Sequence, residues 1–198
     1  MLREWALLLI LFAGASAALA AETILSPTRI IKFIPSGAGM NTKEGHCWTS
    51  SIAAPRADAW RCMVGNEIFD PCFESTDREA VVCMPDPPKG EEGFRLKLNK
   101  PLPKPEITSE AAAMGGKGGW LVELSDGTLC RPVTGASWLV DEKMVTYYCE
   151  SSSSNVVLLD TLNTNEPQWL AEKATLILEP GGPKLLKLEK AGVKTVWQ

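Results

Sequence analysis

Residues 120–149 read WLVELSDGTLCRPVTGASWLVDEKMVTYYC. Trp120-Leu121-Val122-Glu123-Leu124 is a run of strand formers, and Ser125-Asp126-Gly127-Thr128 supplies an Asp-Gly turn. Leu129 to Thr134 resumes the strand pattern. A second turn falls at Asp141-Glu142-Lys143, ahead of the β-branched and aromatic run Met144 to Cys149. Short strands joined by such turns fold back on one another, so antiparallel pairing is expected. The same rhythm continues through Val156–Leu159, Ala174–Leu178, Leu185–Glu189 and Val193–Trp197, with a turn at Glu179-Pro180-Gly181-Gly182-Pro183. Trp169 to Ala174 reads as one helical turn, and no sustained 3.6-residue period appears beyond the N-terminal segment. The expected fold is mostly β: small antiparallel sheets, sandwich or barrel-like, stabilised by disulfides.

Upstream, Arg29 to Ile34 reads as a strand bounded by Pro27 and Pro35, and Ser36 to Gly45 as a polar loop. Cys47 to Cys83 is dense in cysteine. Phe94-Arg95-Leu96-Lys97-Leu98 alternates apolar and basic residues, as a half-buried strand does. It stands within a stretch rich in Pro and Gly. Asn99 to Pro105 there suits polyproline II, best read as a stiff linker. Ala111 to Gly119 (AAAMGGKGG) lacks the strand-then-helix setting of a phosphate loop and reads as a surface loop. The expected organisation is a signal peptide at 1–20, a cysteine-rich unit at 21–83, a Pro/Gly-rich connector at 84–119 and an antiparallel β unit at 120–198. The two β-rich units are able to pack as one domain.

The signal-peptide reading rests on Arg3 in a short n-region, the apolar run Ala6–Ala13, and small residues Ala18 and Ala20 at a cleavage site. A bilayer span needs about 20 strongly apolar residues. The stretch here is shorter and diluted by Gly14 and Ser16. Secretion or a periplasmic location is therefore expected, with no transmembrane segment in the mature chain. The net charge of −4 lacks the clustered basic residues that nucleic acid or anionic lipid requires.

Six cysteines, Cys47, Cys62, Cys72, Cys83, Cys130 and Cys149, are an even number in an exported chain, which points to three disulfides. The gaps between them hold 14, 9, 10, 46 and 18 residues, unlike the short pairs of zinc sites. No metal and no cofactor is expected. Cys130–Cys149 is the favoured pair, because it flanks a hairpin. The other four allow Cys47–Cys62 with Cys72–Cys83, or Cys47–Cys72 with Cys62–Cys83.

Between Cys47 and Phe73 the chain carries Cys47-Trp48-Thr49-Ser50-Ser51, then Arg56-Ala57-Asp58-Ala59-Trp60-Arg61-Cys62, then Gly65-Asn66-Glu67-Ile68-Phe69-Asp70-Pro71-Cys72-Phe73. This arrangement resembles uncharacterised exported bacterial proteins that share C-W-x-x-S, R-x-D-A-W-R-C and G-N-x-I-x-D-P-C-F. The likeness extends to Asp126–Cys130, Tyr148-Cys149 and Pro167-Gln168-Trp169. It implies export and implies no activity. Physically, Trp48, Trp60, Ile68, Phe69 and Phe73 can wrap the sulfur atoms. Arg56 and Arg61 can pair with Asp58 and Asp70 or cap carbonyls. The functional alternative is a binding rim drawn from Trp48, Trp60, Arg61, Asn66 and Asp70.

No catalytic constellation is evident. The only histidine, His46, lies in what reads as a Gly-rich loop, and Gly135-Ala136-Ser137-Trp138 breaks the nucleophile-elbow pattern. Six tryptophans remain after the signal; most are expected to anchor the cores of small β units, and one or two exposed copies would make a flat platform suited to glycan or peptide binding. The leading expectation is a non-enzymatic binding or structural module of the cell envelope, facing a glycan or protein. Two alternatives stand beside it: a hydrolase using the carboxylates of Asp58 and Asp70, and a disulfide-rich protease inhibitor presenting residues 111–119.

Overall fold

The computed structural model describes residues 26–35, 41–76, 80–91, 93–106, 118–150 and 155–198. The expected signal peptide and most of the 111–119 loop lie outside them. Among the described residues the molecule is built from strands, with one 3-10 turn at Pro87–Lys89. Among these residues no helix is long and apolar enough to cross a membrane.

Five strands close a barrel: β2 (Thr42–Ser50), β3 (Ala59–Val64), β4 (Glu67–Glu74), β5 (Val81–Cys83) and β6 (Phe94–Leu98). Neighbours run antiparallel until β6 meets β2 in parallel, Thr42 opposite Arg95 and Gly45 opposite Leu98. Two irregularities shape the wall. Cys47 faces Cys62 and Thr49 faces Arg61, so Trp48 is the extra residue of a bulge. Trp60 faces Cys72 while Cys62 faces Phe69, which leaves Asp70 and Pro71 together opposite Arg61. Proline is tolerated there because a bulge needs no ladder N–H. Cys47–Cys62 and Cys72–Cys83 each join directly opposed residues, and Trp60, Val81, Phe94 and Leu96 pack around the sulfurs.

The second sheet holds β1 (Arg29–Ile31), β7 (Leu121–Leu124), β8 (Leu129–Pro132), β9 (Leu139–Val140), β10 (Lys143–Cys149), β11 (Val156–Asn163), β12 (Leu170–Glu179) and β13 (Gly182–Trp197). The first part of β13 pairs with β12 and its last residues pair with β7. The ladder from β7 through β8, β10, β11, β12 and β13 thus returns to β7. In β11, Val156 and Leu158 enter one apolar cluster while Val157 and Leu159 enter another. Four consecutive apolar residues are buried because both faces of this strand are covered. Cys130–Cys149 ties β8 to β10 across a directly opposed pair.

Several expectations change. The strand assigned to the connector, β6, completes the barrel, and β1 joins the sheet of the C-terminal unit. The barrel is therefore drawn from residues 42–98, not 21–83. Residues 42–46, including His46, lie in β2 and not in a loop. Trp169–Ala174 is no helical turn: Leu170 onward is held between β11 and β13, and cross-strand pairing outweighs local preference. The two segments read near the C-terminus are one strand with a bulge at Leu186.

A shared core joins the two sheets. Ala53, Ala54, Ala59 and Phe73 of the barrel pack on Trp120, Leu121 and Trp197, with Ile31, Phe33 and Leu129 at the edge. Phe33, Phe73 and Trp120 meet with ring centroids 5.2–5.5 Å apart.

Candidate functional site

Beside this junction lies a cleft of about 700 Å³. Its polar lining is Lys32, Arg56, Asp58, Glu74 and Gln198, with Ala54, Pro55 and Ala57 between them and Gly119 and Trp120 at the back. Most of the barrel's share comes from the β2–β3 connection. Ser51 folds that segment by accepting from the Ala54 N–H at 2.8 Å, and Arg56 N–H donates to the Ala54 carbonyl at 2.7 Å.

Arg56 organises the cleft. Its Nε and Nη2 form a two-pronged bond to the Asp58 carboxylate, at 2.6 and 2.5 Å. Its Nη1 donates to the carbonyls of Phe33 and Gln198, at 2.9 and 2.8 Å. The guanidinium also lies 4.8 Å from the Phe73 ring centre. A planar fork with five donors suits this four-sided task, and an ammonium would not. Hydrogen bonding from Arg56 holds the Asp58 carboxyl below its ordinary value, against the opposing effect of burial. Glu74 accepts from the Trp60 indole N–H at 3.2 Å.

The rear wall depends on Gly119. Its φ is +78°, and a Cβ there would lie 2.4 Å from the Trp197 carbonyl oxygen. Only glycine lets the chain pass that close and turn Trp120 into the core, where the Trp120 N–H bonds the Trp197 carbonyl at 2.9 Å. The Trp120 indole N–H is buried without an acceptor among the described residues.

The five residues of the expected binding rim do not form one site. Trp60 is buried against the barrel sulfurs. Asn66 is exposed in the β3–β4 turn. Trp48, 40% exposed, has the Arg61 guanidinium 5.8 Å from its ring centre. Arg61 donates to the Thr134 carbonyl at 2.9 Å and lies 3.9 Å from Asp70, so it bridges the two sheets. Asp70 is an internal brace. It accepts from the Ser51 hydroxyl at 2.5 Å and from the backbone N–H groups of Ile52 and Ala53 at 3.2 and 3.4 Å. Burial raises its carboxyl above the ordinary value even so. Asp58 lines the cleft and Asp70 does not, so the two carboxylates proposed for hydrolysis do not share its wall.

The pairing of Arg56 with Asp58 and Arg61 with Asp70 follows the sequence reading, as do the carbonyl contacts of both arginines. The mini-core is drawn differently: Trp60 and Phe69 pack near the sulfurs, Trp48 and Ile68 are exposed, and Phe73 serves the junction. Lys32, Glu74 and Gln198 went unmarked and Gly119 was read only as the end of a surface loop, because nothing in their local sequence places them beside Arg56. The one group of potential metal ligands among the described residues is Cys62, Cys72 and Cys83, and all three sulfurs are committed to disulfides. Comparison with protein-family models, curated proteins and solved structures gives no match.

Proposed function

We propose that this is an exported, non-enzymatic binding module of the cell envelope. It takes a polar ligand, a soluble glycan or peptide fragment of that envelope, in the cleft between its two β units. The cleft carries the proposal. Its volume falls in the range of small-molecule sites, and junctions between rigid units are where such sites concentrate. Its lining sets Lys32, Asp58, Glu74 and Gln198 beside Ala54, Pro55 and Ala57, which suits the hydroxyl and amide groups of such ligands. The three disulfides support an oxidising, extracytoplasmic setting. The described lining offers no hydroxyl, thiol or imidazole, Asp58 is pinned as an anion by Arg56, and Glu74 is engaged by the Trp60 indole N–H, which favours binding over hydrolysis.

Calorimetric titration with soluble muropeptides tests the proposal. Saturable one-to-one binding is expected. Ala57→Trp, at an exposed position on the rim, fills the entrance and is expected to weaken binding at least about tenfold, a loss of about 1.4 kcal/mol. Asn66→Ala, in the β3–β4 turn, should leave it unchanged. Equal affinity in all three proteins, or no binding by any, rejects this cleft as the site.

A further inference from the structure

Cys47 opposes Cys62 across β2 and β3, and Cys72 opposes Cys83 across β4 and β5. Because β3 and β4 are neighbours, the two bonds lie side by side inside the barrel. The sulfurs of Cys62, Cys72 and Cys83 all lie within 4.8 Å of one another. Cys130–Cys149 sits in the other sheet and does not join this group. We infer that the two barrel disulfides form one four-sulfur exchange unit, in which opening one bond passes the thiolate to the other.

Entry is through Cys47, which is 4% exposed while the other three are fully buried. The co-reactant is an external thiolate, such as a small monothiol or the thiol of an envelope oxidoreductase. Its sulfur attacks the Cys47 sulfur and forms a mixed disulfide. The Cys47–Cys62 bond breaks, and its electron pair leaves as the Cys62 thiolate. That anion stands among Trp60, Val81, Phe94 and Leu96, where loss of hydration disfavours charge. Return to the Cys47 sulfur reverses the step; the other electrophiles within 4.8 Å are Cys72 and Cys83. Attack on Cys72 forms Cys62–Cys72 and releases Cys83 as thiolate; attack on Cys83 releases Cys72 instead. Each step exchanges one S–S bond for another, and no net oxidation or reduction occurs. The cross-paired sulfurs are those that sequence spacing alone leaves ambiguous.

Cys47→Ala tests this directly. The oxidised variant is acid-quenched, denatured, alkylated and mapped by mass spectrometry. The free thiol is expected to be spread over Cys62, Cys72 and Cys83, with Cys62–Cys72 and Cys62–Cys83 peptides present. A thiol found at Cys62 alone, with Cys72–Cys83 intact, overturns the inference. Cys130→Ala is the control and should free Cys149 only. Should Cys47→Ala fail to fold, wild-type protein treated with limiting glutathione decides. Peptides joining Cys62 to Cys72 or Cys83 are expected once Cys47 carries the mixed disulfide. Their absence at that stage overturns the proposal.

Discussion

Arg56 makes four side-chain hydrogen bonds at the junction. It fixes Asp58 in the cleft and holds the backbone on either side of it, at Phe33 and Gln198. Arg56→Lys keeps the charge and loses the fork. It should lower stability by about 2 kcal/mol, the scale of one or two hydrogen bonds to a charged group. Urea unfolding of the two proteins measures this. That Arg56 and Arg61 pair with Asp58 and Asp70 and cap carbonyls was legible from residue type and nearness in sequence; which carbonyls they reach was not, since Phe33, Gln198 and Thr134 lie far along the chain. Asp126 makes a different prediction. Burial by itself would raise its carboxyl, but the Lys173 ammonium and the Thr128 donors reverse this and bring it down to about 2, from 3.8. A carboxyl depressed in the folded state stabilises it above the unfolded value. That contribution fades as pH falls from about 4 to about 2. Asp126→Asn should flatten the fall of stability over this window, and parallel curves for both proteins would count against it.

At the scale of elements, the turns are the informative places. β9 and β10 are joined by Asp141 and Glu142, both with positive φ, +47° and +67°. That is the backbone of a type I′ turn, for which Asn-Gly is the favoured pair. Replacing Asp141-Glu142 by Asn-Gly should stabilise the protein by about 1 kcal/mol, because left-handed backbone costs a residue with a Cβ about 1–2 kcal/mol. The thermal midpoint should rise; a fall would mean that the native side chains hold the turn. The sequence marked this turn correctly, and it marked β6 to the residue, because alternation and turn dipeptides are local signals. It missed β12 as a continuous strand, since Leu170–Ala174 takes its state from β11 and β13 on either side. It also missed the re-aiming of Trp48, because a bulge exists only relative to a partner strand. The cleft was illegible for the same reason. Residues 54–58, Glu74, Gly119 and Gln198 meet only after the barrel has closed and β13 has returned to β7.

At the scale of the whole molecule, the barrel and the second sheet of the described residues share an apolar core. Phe73 belongs to the barrel and its ring lies against Phe33 and Trp120, which flank β1 and β7 of the other sheet. Around that contact, Arg61 reaches the Thr134 carbonyl, and Arg131 lies 3.2 Å from Asp86, whose other neighbour is Lys89 at 2.9 Å. Neither sheet can lose its own strands without uncovering this shared apolar surface, so the two should unfold as a single cooperative unit. Phe73→Ala is the sharpest probe. A fully buried aromatic ring cut to a methyl costs about 3–5 kcal/mol. If the shared core couples the units, that loss should appear equally in both. Hydrogen exchange in β3 and in β11 should accelerate together, and fluorescence and far-ultraviolet dichroism should keep coincident urea transitions. A variant in which β3 loses protection while β11 keeps it would show two independent units. The cleft would then be a mobile gap between them, which would also remove the rigid walls on which the proposed binding depends.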